Sequence, residues 1–412
     1  MPGLKIFKSV VLLMSSRRAY LALAVDALFS LSSLLLAVAI ARASSVEEFG
    51  AFGLAMVLYL FTVGLIRAAV TDTTLSLGPS KEDLHTGFQR AILMSLVIGG
   101  VLTTGGLITG LHFVSIVGIT TPGLVALDYI RVTHSAMYRP LAALWLGVSW
   151  TLAVFVISVT ALLLPAEPLI VFAMWSGSGA IIGLVAWSVE QFPWRPLWRR
   201  NERATRAAVW FSLDYLAGSG GSLVSTGLLG AVLGPSVVAA LRGAGTVLGP
   251  MNLLSTTARS LALPYLTRVR VGGAAHEIRS AALITGSLML GVLPLAILIM
   301  FMPDGIGIEL LGESWHVVAP VLVPLAIESA AALAGSVASA GHRSKLAGAR
   351  AVSLRLSIGI FRPIAVIAAG TACGASGAAW MMAAISILNV ILWWASYWQL
   401  TRRDEQTSDR IS

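Results

Sequence analysis

The stretch from Ala51 to Val70 reads AFGLAMVLYLFTVGLIRAAV, sixteen residues without a charge before Arg67 interrupts it. It shows no alternation of apolar and polar positions. It is a continuous apolar run of the length, about 20 residues, that an α-helix needs to cross the hydrocarbon of a bilayer. A strand in lipid would need period-two alternation and a closed barrel, so a helix is the only solution for this segment. Comparable runs occupy residues 20–41, 91–110, 113–135, 140–164, 169–189, 207–232, 236–262, 281–302, 316–340, 351–371 and 376–399, which with 51–70 makes twelve.

The whole-chain composition agrees. Of 412 residues, 57% are hydrophobic and only 11% charged, with a mean hydropathy of +0.86. A water-facing domain carries about 25% charged residues, so no sizeable soluble domain fits beside these runs. The net charge of +9 would suggest nucleic acid in a soluble protein; here its distribution gives another reason. Taking connections alternately, one set holds 21 basic residues, from Lys5 and Lys8 through Arg195, Arg199, Arg200, Arg203 and Arg206 to Arg402, Arg403 and Arg410. The opposite set holds only Arg42, among Glu47, Glu48, Glu167, Asp304, Glu309 and Glu313. By the positive-inside rule both termini are expected to be cytoplasmic. The short run Val10–Met14 between Lys8 and Arg17 reads as an interfacial lead-in rather than a signal peptide. The single cysteine, Cys373, allows no internal disulfide and no thiolate metal site.

The Arg-rich connection 190–206 is the natural divide. It separates an N-terminal six-helix half (1–189) from a C-terminal six-helix half (207–400) that is followed by a cytoplasmic tail (401–412). Leu23-Ala-Val-Asp-Ala-Leu carries Asp26 and Phe211-Ser-Leu-Asp-Tyr-Leu carries Asp214, each about two turns into the first run of its half. This suggests a repeat about an axis along the membrane normal. The expected fold is therefore all-α: a polytopic membrane protein of twelve transmembrane helices in two pseudo-symmetric six-helix bundles.

Charges inside the runs are the candidates for function, because each costs roughly 2.5–3.5 kcal/mol on insertion scales. They are Asp26, Arg67, Asp128, Arg131, Asp214, Arg242, Arg259, Glu328, Arg355 and Arg362. Two bland readings compete: Arg67, Arg259 and Arg355 lie within about a turn of a cytoplasmic end and can snorkel, and Asp128 with Arg131, at i and i+3, can neutralise one another. The alternative is a polar cavity between the halves, open to the cytoplasm. Trp145 and Trp150 fit no interfacial belt and are expected to face other helices. Pro122, Pro250, Pro294, Pro320, Pro324 and Pro363 should bend their helices, and Gly106/Gly110 and Gly245/Gly249 should let helices approach. No phosphate-binding loop, zinc-type histidine pair or nucleophile elbow is present in the sequence, so transport is preferred to catalysis and no cofactor or metal is expected.

Three segments carry a family likeness. Ala41-Arg-Ala-Ser-Ser-Val-Glu-Glu-Phe-Gly-Ala-Phe resembles a turn of bacterial polysaccharide-biosynthesis membrane proteins, the Wzx-like oligosaccharide flippases of the multidrug/oligosaccharidyl-lipid/polysaccharide (MOP) superfamily. Ala240-Leu-Arg-Gly-Ala-Gly-Thr-Val-Leu-Gly-Pro-Met-Asn-Leu-Leu and Leu127-Asp-Tyr-Ile-Arg followed by Tyr138-Arg-Pro resemble two further spans of that family. Arg67 and Asp72 depart from it, standing where relatives are often apolar. The resemblance implies a MOP/MATE-like fold in the bacterial plasma membrane. It also implies a monomer that flips a polyprenyl-pyrophosphate-linked oligosaccharide by alternating access, among membrane lipids and alongside a polymerase and glycosyltransferases. For such a load, position makes Arg67, Arg131, Arg242, Arg259 and Arg362 the candidate partners of pyrophosphate and sugar. Asp26, Asp128, Asp214 and Glu328 are candidates for pairing with them or for a coupling proton or sodium ion. The rival readings are a drug/cation antiporter of the same superfamily, which the six intramembrane arginines disfavour, and a membrane scaffold for glycosyltransferases.

Overall fold

A computed structural model describes residues 31–76, 80–136, 140–164, 166–190, 202–249, 251, 266, 273–345 and 347–409. Asp26, Arg259, Pro250 and most of the 190–206 connection lie outside the described residues. Every regular element described is helical: α1 (Leu31–Ala43), α2 (Val46–Ser76), α3 (Lys81–Thr109), α4 (His112–Ala136), α5 (Pro140–Leu163), α6 (Pro168–Glu190), α7 (Glu202–Tyr215), α8 (Gly221–Leu233), α9 (Pro235–Val247), α10 (Ala274–Met300), α11 (Asp304–Leu311), α12 (Trp315–Ser344) and α13 (Gly348–Asp409). Eight segments among the described residues are long and apolar enough to cross a membrane, or nine if α7 and α8 are one bent span. The chain is thus built as a polytopic membrane protein.

Local chemistry sets the ends of these helices. Ser45 caps α2 and Ser80 caps α3, each in a capping box closed by Glu48 or Asp83, so in the α1–α2 turn Ser45 and Glu48 satisfy one another's backbone donors. Gly110, at φ 72°, turns α3 into α4. Straight, α13 would run about 93 Å, some three hydrocarbon thicknesses. Instead Cys373 and Gly374 leave helical geometry, with Gly374 at φ 65°, and the chain doubles back. Arg350 donates through Nε to Ser396 Oγ at 2.7 Å and through Nη2 to Gln399 at 2.7 Å; in a straight helix residues 350 and 396 would stand about 69 Å apart. This matches the expected division into 351–371 and 376–399.

Basic residues concentrate at one end of the bundle. Lys81, Arg206, Arg279 and Arg402 lie there, beside Glu82, Asp83 and Glu190, while Glu47, Glu167 and Asp304 mark an acidic end with Arg42, as the helix directions require. Between them, packing is close, because lipid supplies no hydrophobic drive to bring helices together and small residues must allow contact. A Cβ on Gly183 would fall 2.0 Å from Gly123 O, bringing α6 and α4 backbone to backbone. An aromatic cluster fills the N-terminal half: Phe52 packs on Phe172 with ring centroids 5.6 Å apart, and Phe172 on Trp175 at 5.4 Å.

Some expectations are corrected. Trp150 is buried against Trp175, but Trp145 is 67% exposed and faces outward. Gly106 does meet a neighbour, Ser115, whereas Gly110 forms the turn and Gly245 and Gly249 face open space. Close approach falls also to Gly50, Gly53, Gly64, Gly123 and Gly183, of which Gly183, with Gly179, forms a glycine pair four apart while Gly50, Gly53 and Gly123 have no small residue at that spacing.

Candidate functional site

α2 packs against α4 on one side and against α8 and α9, from beyond the 190–206 connection, on the other, and so forms a seam between them. At its acidic end a Cβ on Gly50 would lie 2.1 Å from Pro235 O, and one on Gly53 would lie 2.9 Å from Val238 Cγ1 and 3.3 Å from Arg242 Cβ. Gly64, about 21 Å further down the same helix by rise per residue, receives the ring of Tyr215 from α7. The intramembrane charges distribute around this seam.

Arg67 opens a π-helical turn, Arg67–Asp72, within α2. Such a turn inserts one residue into the helical repeat and re-aims what it carries. Arg67 donates to Asp128 on α4, through Nε at 2.9 Å and through Nη2 as well, and Arg131 Nη2 reaches the same carboxylate at 3.2 Å. Two guanidiniums thus share one carboxylate. Asp72 closes the same π-helical turn. The snorkelling reading of Arg67 therefore gives way to a pair inside the N-terminal half, and the expected Asp128–Arg131 neutralisation is only part of the triad.

In the C-terminal half the pairs are one to one. Arg355 Nη1 donates to both oxygens of Asp214, at 2.6 and 2.7 Å, while its Nη2 reaches Ser339 Oγ at 3.4 Å. Arg355 is thus bound across helices rather than drawn to headgroups. Arg362 donates to Glu328, joining α13 to α12, with both side chains 18% exposed.

Arg242 differs from all of these. Its stem lies along Gly53, its guanidinium stands 6.0 Å from the centroid of Phe52, and its Nε is buried without a hydrogen-bond partner. Among the described residues it makes no ion pair. It lies about 10 Å in from the start of α9, toward the acidic end as the sequence placed it.

One cluster was not legible. Glu277 and Lys345 pair at 3.0 Å with side chains 2% and 3% exposed, and Tyr397 donates to Glu277 at 2.7 Å. His342 joins them, its ring tilted by 42° against Tyr397 with centroids 5.9 Å apart and its Nε2 bonded to Ser396. The sequence placed Lys345 in a wet connection as an orientation charge; it is instead buried, because α10 begins at Ala274, seven residues before the apolar run, and carries Glu277 into the bundle. Arg355, singled out in the sequence as an intramembrane charge, finds its partner in Asp214; Tyr215 was missed, and its only sequence signal is adjacency to Asp214.

A cleft of about 580 Å³ opens at the acidic end, lined by Arg42, Ala43, Leu164 and Glu167 among others. Nothing in its lining is a buried unpaired charge.

No protein-family model matches the chain, and no curated protein does. Solved structures do match in fold. A lipid II flippase, MurJ, in an inward closed conformation superposes with a TM-score of 0.69 at 12% identity, over 91% of this chain and 87% of its own. A MATE-family multidrug resistance transporter in an inward-facing conformation gives 0.62 at 13% identity, over 91% and 95%. A MOP superfamily transporter from Pyrococcus furiosus gives 0.61 at 12%, over 95% and 98%. The chain has the fold of MOP superfamily transporters, a group that includes both drug transporters and a lipid flippase.

Proposed function

We propose that this protein flips an anionic lipid-linked oligosaccharide, a polyprenyl-pyrophosphate carrier with its sugar, from the cytoplasmic to the outer leaflet of a bacterial plasma membrane by alternating access. The basic end is then cytoplasmic, the two halves are six-helix bundles, and the seam along α2 is where they part. The observation that carries the reading is Arg242. Most intramembrane charges here are matched within a half, but Arg242 sits at the seam with no counter-ion among the described residues. A half-buried cation with no counter-ion and an unpaired Nε is costly, and an anionic headgroup passing along the seam offsets that cost. The Arg67–Asp128–Arg131 triad, near the basic end of the same helix, is a first station for the same charge, with Arg67 partly exposed. Arg259 and Asp26 belong to the proposal by sequence position only. Arg362 is bound to Glu328 and is a weaker candidate. The fold shared with a lipid II flippase supports a lipid-linked load.

The test is binding of undecaprenyl pyrophosphate to the purified protein in detergent, measured by native mass spectrometry, with ethidium as a cationic comparison. A charge-assisted hydrogen bond contributes about 1.5–3 kcal/mol, so Arg242→Ala should weaken pyrophosphate binding roughly 10- to 150-fold. Equal binding by Arg242→Ala, or binding of ethidium in place of the pyrophosphate, would overturn the proposal.

A further inference from the structure

We propose that Tyr215, seated in the notch left by Gly64, is the latch that holds the seam closed at its basic end, and that its release uncovers Arg67 to the incoming headgroup. The second part rests on the flippase reading; the first does not. The Tyr215 hydroxyl lies 3.2 Å from Leu60 O and 3.3 Å from Phe61 O, across 155 residues of chain. The ring fills the space a side chain at position 64 would need: a Cβ there would fall 2.3 Å from the hydroxyl oxygen and 2.5 Å from Cζ. Only glycine admits it. Gly64 and Arg67 stand three apart on α2, so they share a face, and withdrawal of the ring opens the path to the guanidinium.

The arm that bears Tyr215 is able to pivot. Directly after it the chain makes a π-helical turn, Leu216–Gly220, in which Gly218 is non-helical at φ −101°, ψ −108°, and the flanking helices are bent by 55°. Adjacent residues of this arm grip opposite halves. Asp214 is held by Arg355 of the C-terminal half through two short charge-assisted hydrogen bonds. Tyr215 has one proton to share between two carbonyls of α2. Charge-assisted bonds are roughly twice as strong as neutral ones, so when the halves separate the arm stays with Arg355 and the break falls at Tyr215.

Spin labels at Lys81→Cys and Val209→Cys, both exposed positions, in a Cys373→Ser background report the separation of α3 and α7 by pulsed electron resonance without any ligand. The parent protein should show mainly a short distance. Tyr215→Phe, which keeps the ring and loses the hydroxyl, should raise the long-distance population roughly 2- to 10-fold, and Gly64→Ala, which bars the ring, should make it dominant. Distributions in both variants that superimpose on the parent would overturn the latch. If the variants open while the parent binds no undecaprenyl pyrophosphate, the latch stands and the flippase reading falls. If they stay closed while the parent binds it, the latch falls and the flippase reading stands.

Discussion

Replacing Glu328 by glutamine removes the carboxylate bonded to Arg362 and tests whether that arginine is a structural partner or a ligand-binding group. The pair joins α12 to α13, each side chain is 18% exposed, and Arg362 Nε is already buried without a partner. Breaking a buried pair costs about 3–5 kcal/mol, because the remaining charge is left uncompensated; the residual exposure lowers that to about 2–4 kcal/mol. Arg362→Met should cost a similar amount. The double variant Glu328→Gln/Arg362→Met should recover most of the loss, since a buried pair exchanged for groups of similar volume is often close to neutral. The coupling energy of the cycle is then at least about 2 kcal/mol. The assay is thermal unfolding in detergent followed by tryptophan fluorescence, beside transport activity normalised to folded protein. If Arg362 is structural, the double variant regains both. Singles as stable as the parent, or a double variant that folds well and transports nothing, would refute this reasoning and return Arg362 to the substrate path.

Two further outcomes follow from the geometry. Asp128→Asn removes the carboxylate that Arg67 and Arg131 share, so, discounted for the exposure of Arg67, it should destabilise the protein by about 1–3 kcal/mol, read as a lowered unfolding temperature that Asp128→Glu largely restores. Gly183→Ala forces a Cβ against Gly123 O and should cost about 1–3 kcal/mol by overpacking, whereas Gly245→Ala, which meets open space, should be neutral or stabilising by up to about 1 kcal/mol through helix propensity; the reverse order of unfolding temperatures would contradict the packing.

Much of the architecture is legible because lipid imposes it. A backbone in hydrocarbon must satisfy its own hydrogen bonds, so continuous apolar runs fix helices and their approximate ends, and the hairpin at Gly374 falls where two runs meet. The charges worth attention are legible for the same reason. Their partners are not. Arg67 and Asp128 stand 61 residues apart and Arg355 and Asp214 stand 141 apart, and nothing local in either segment announces the match.

The sequence by itself determined that this chain is a helical membrane protein with a basic and an acidic end and with arginines placed at a cost, because composition and hydrocarbon thickness leave no other solution. Only the tertiary structure decided which of those arginines are matched. A π-helical turn aims Arg67 at Asp128, the early start of α10 buries Glu277 with Lys345, and glycine notches on α2 bring Arg242 and Tyr215 to the seam. Pairing depends on which helix faces come together across the bundle, a relation that spacing along one chain does not encode.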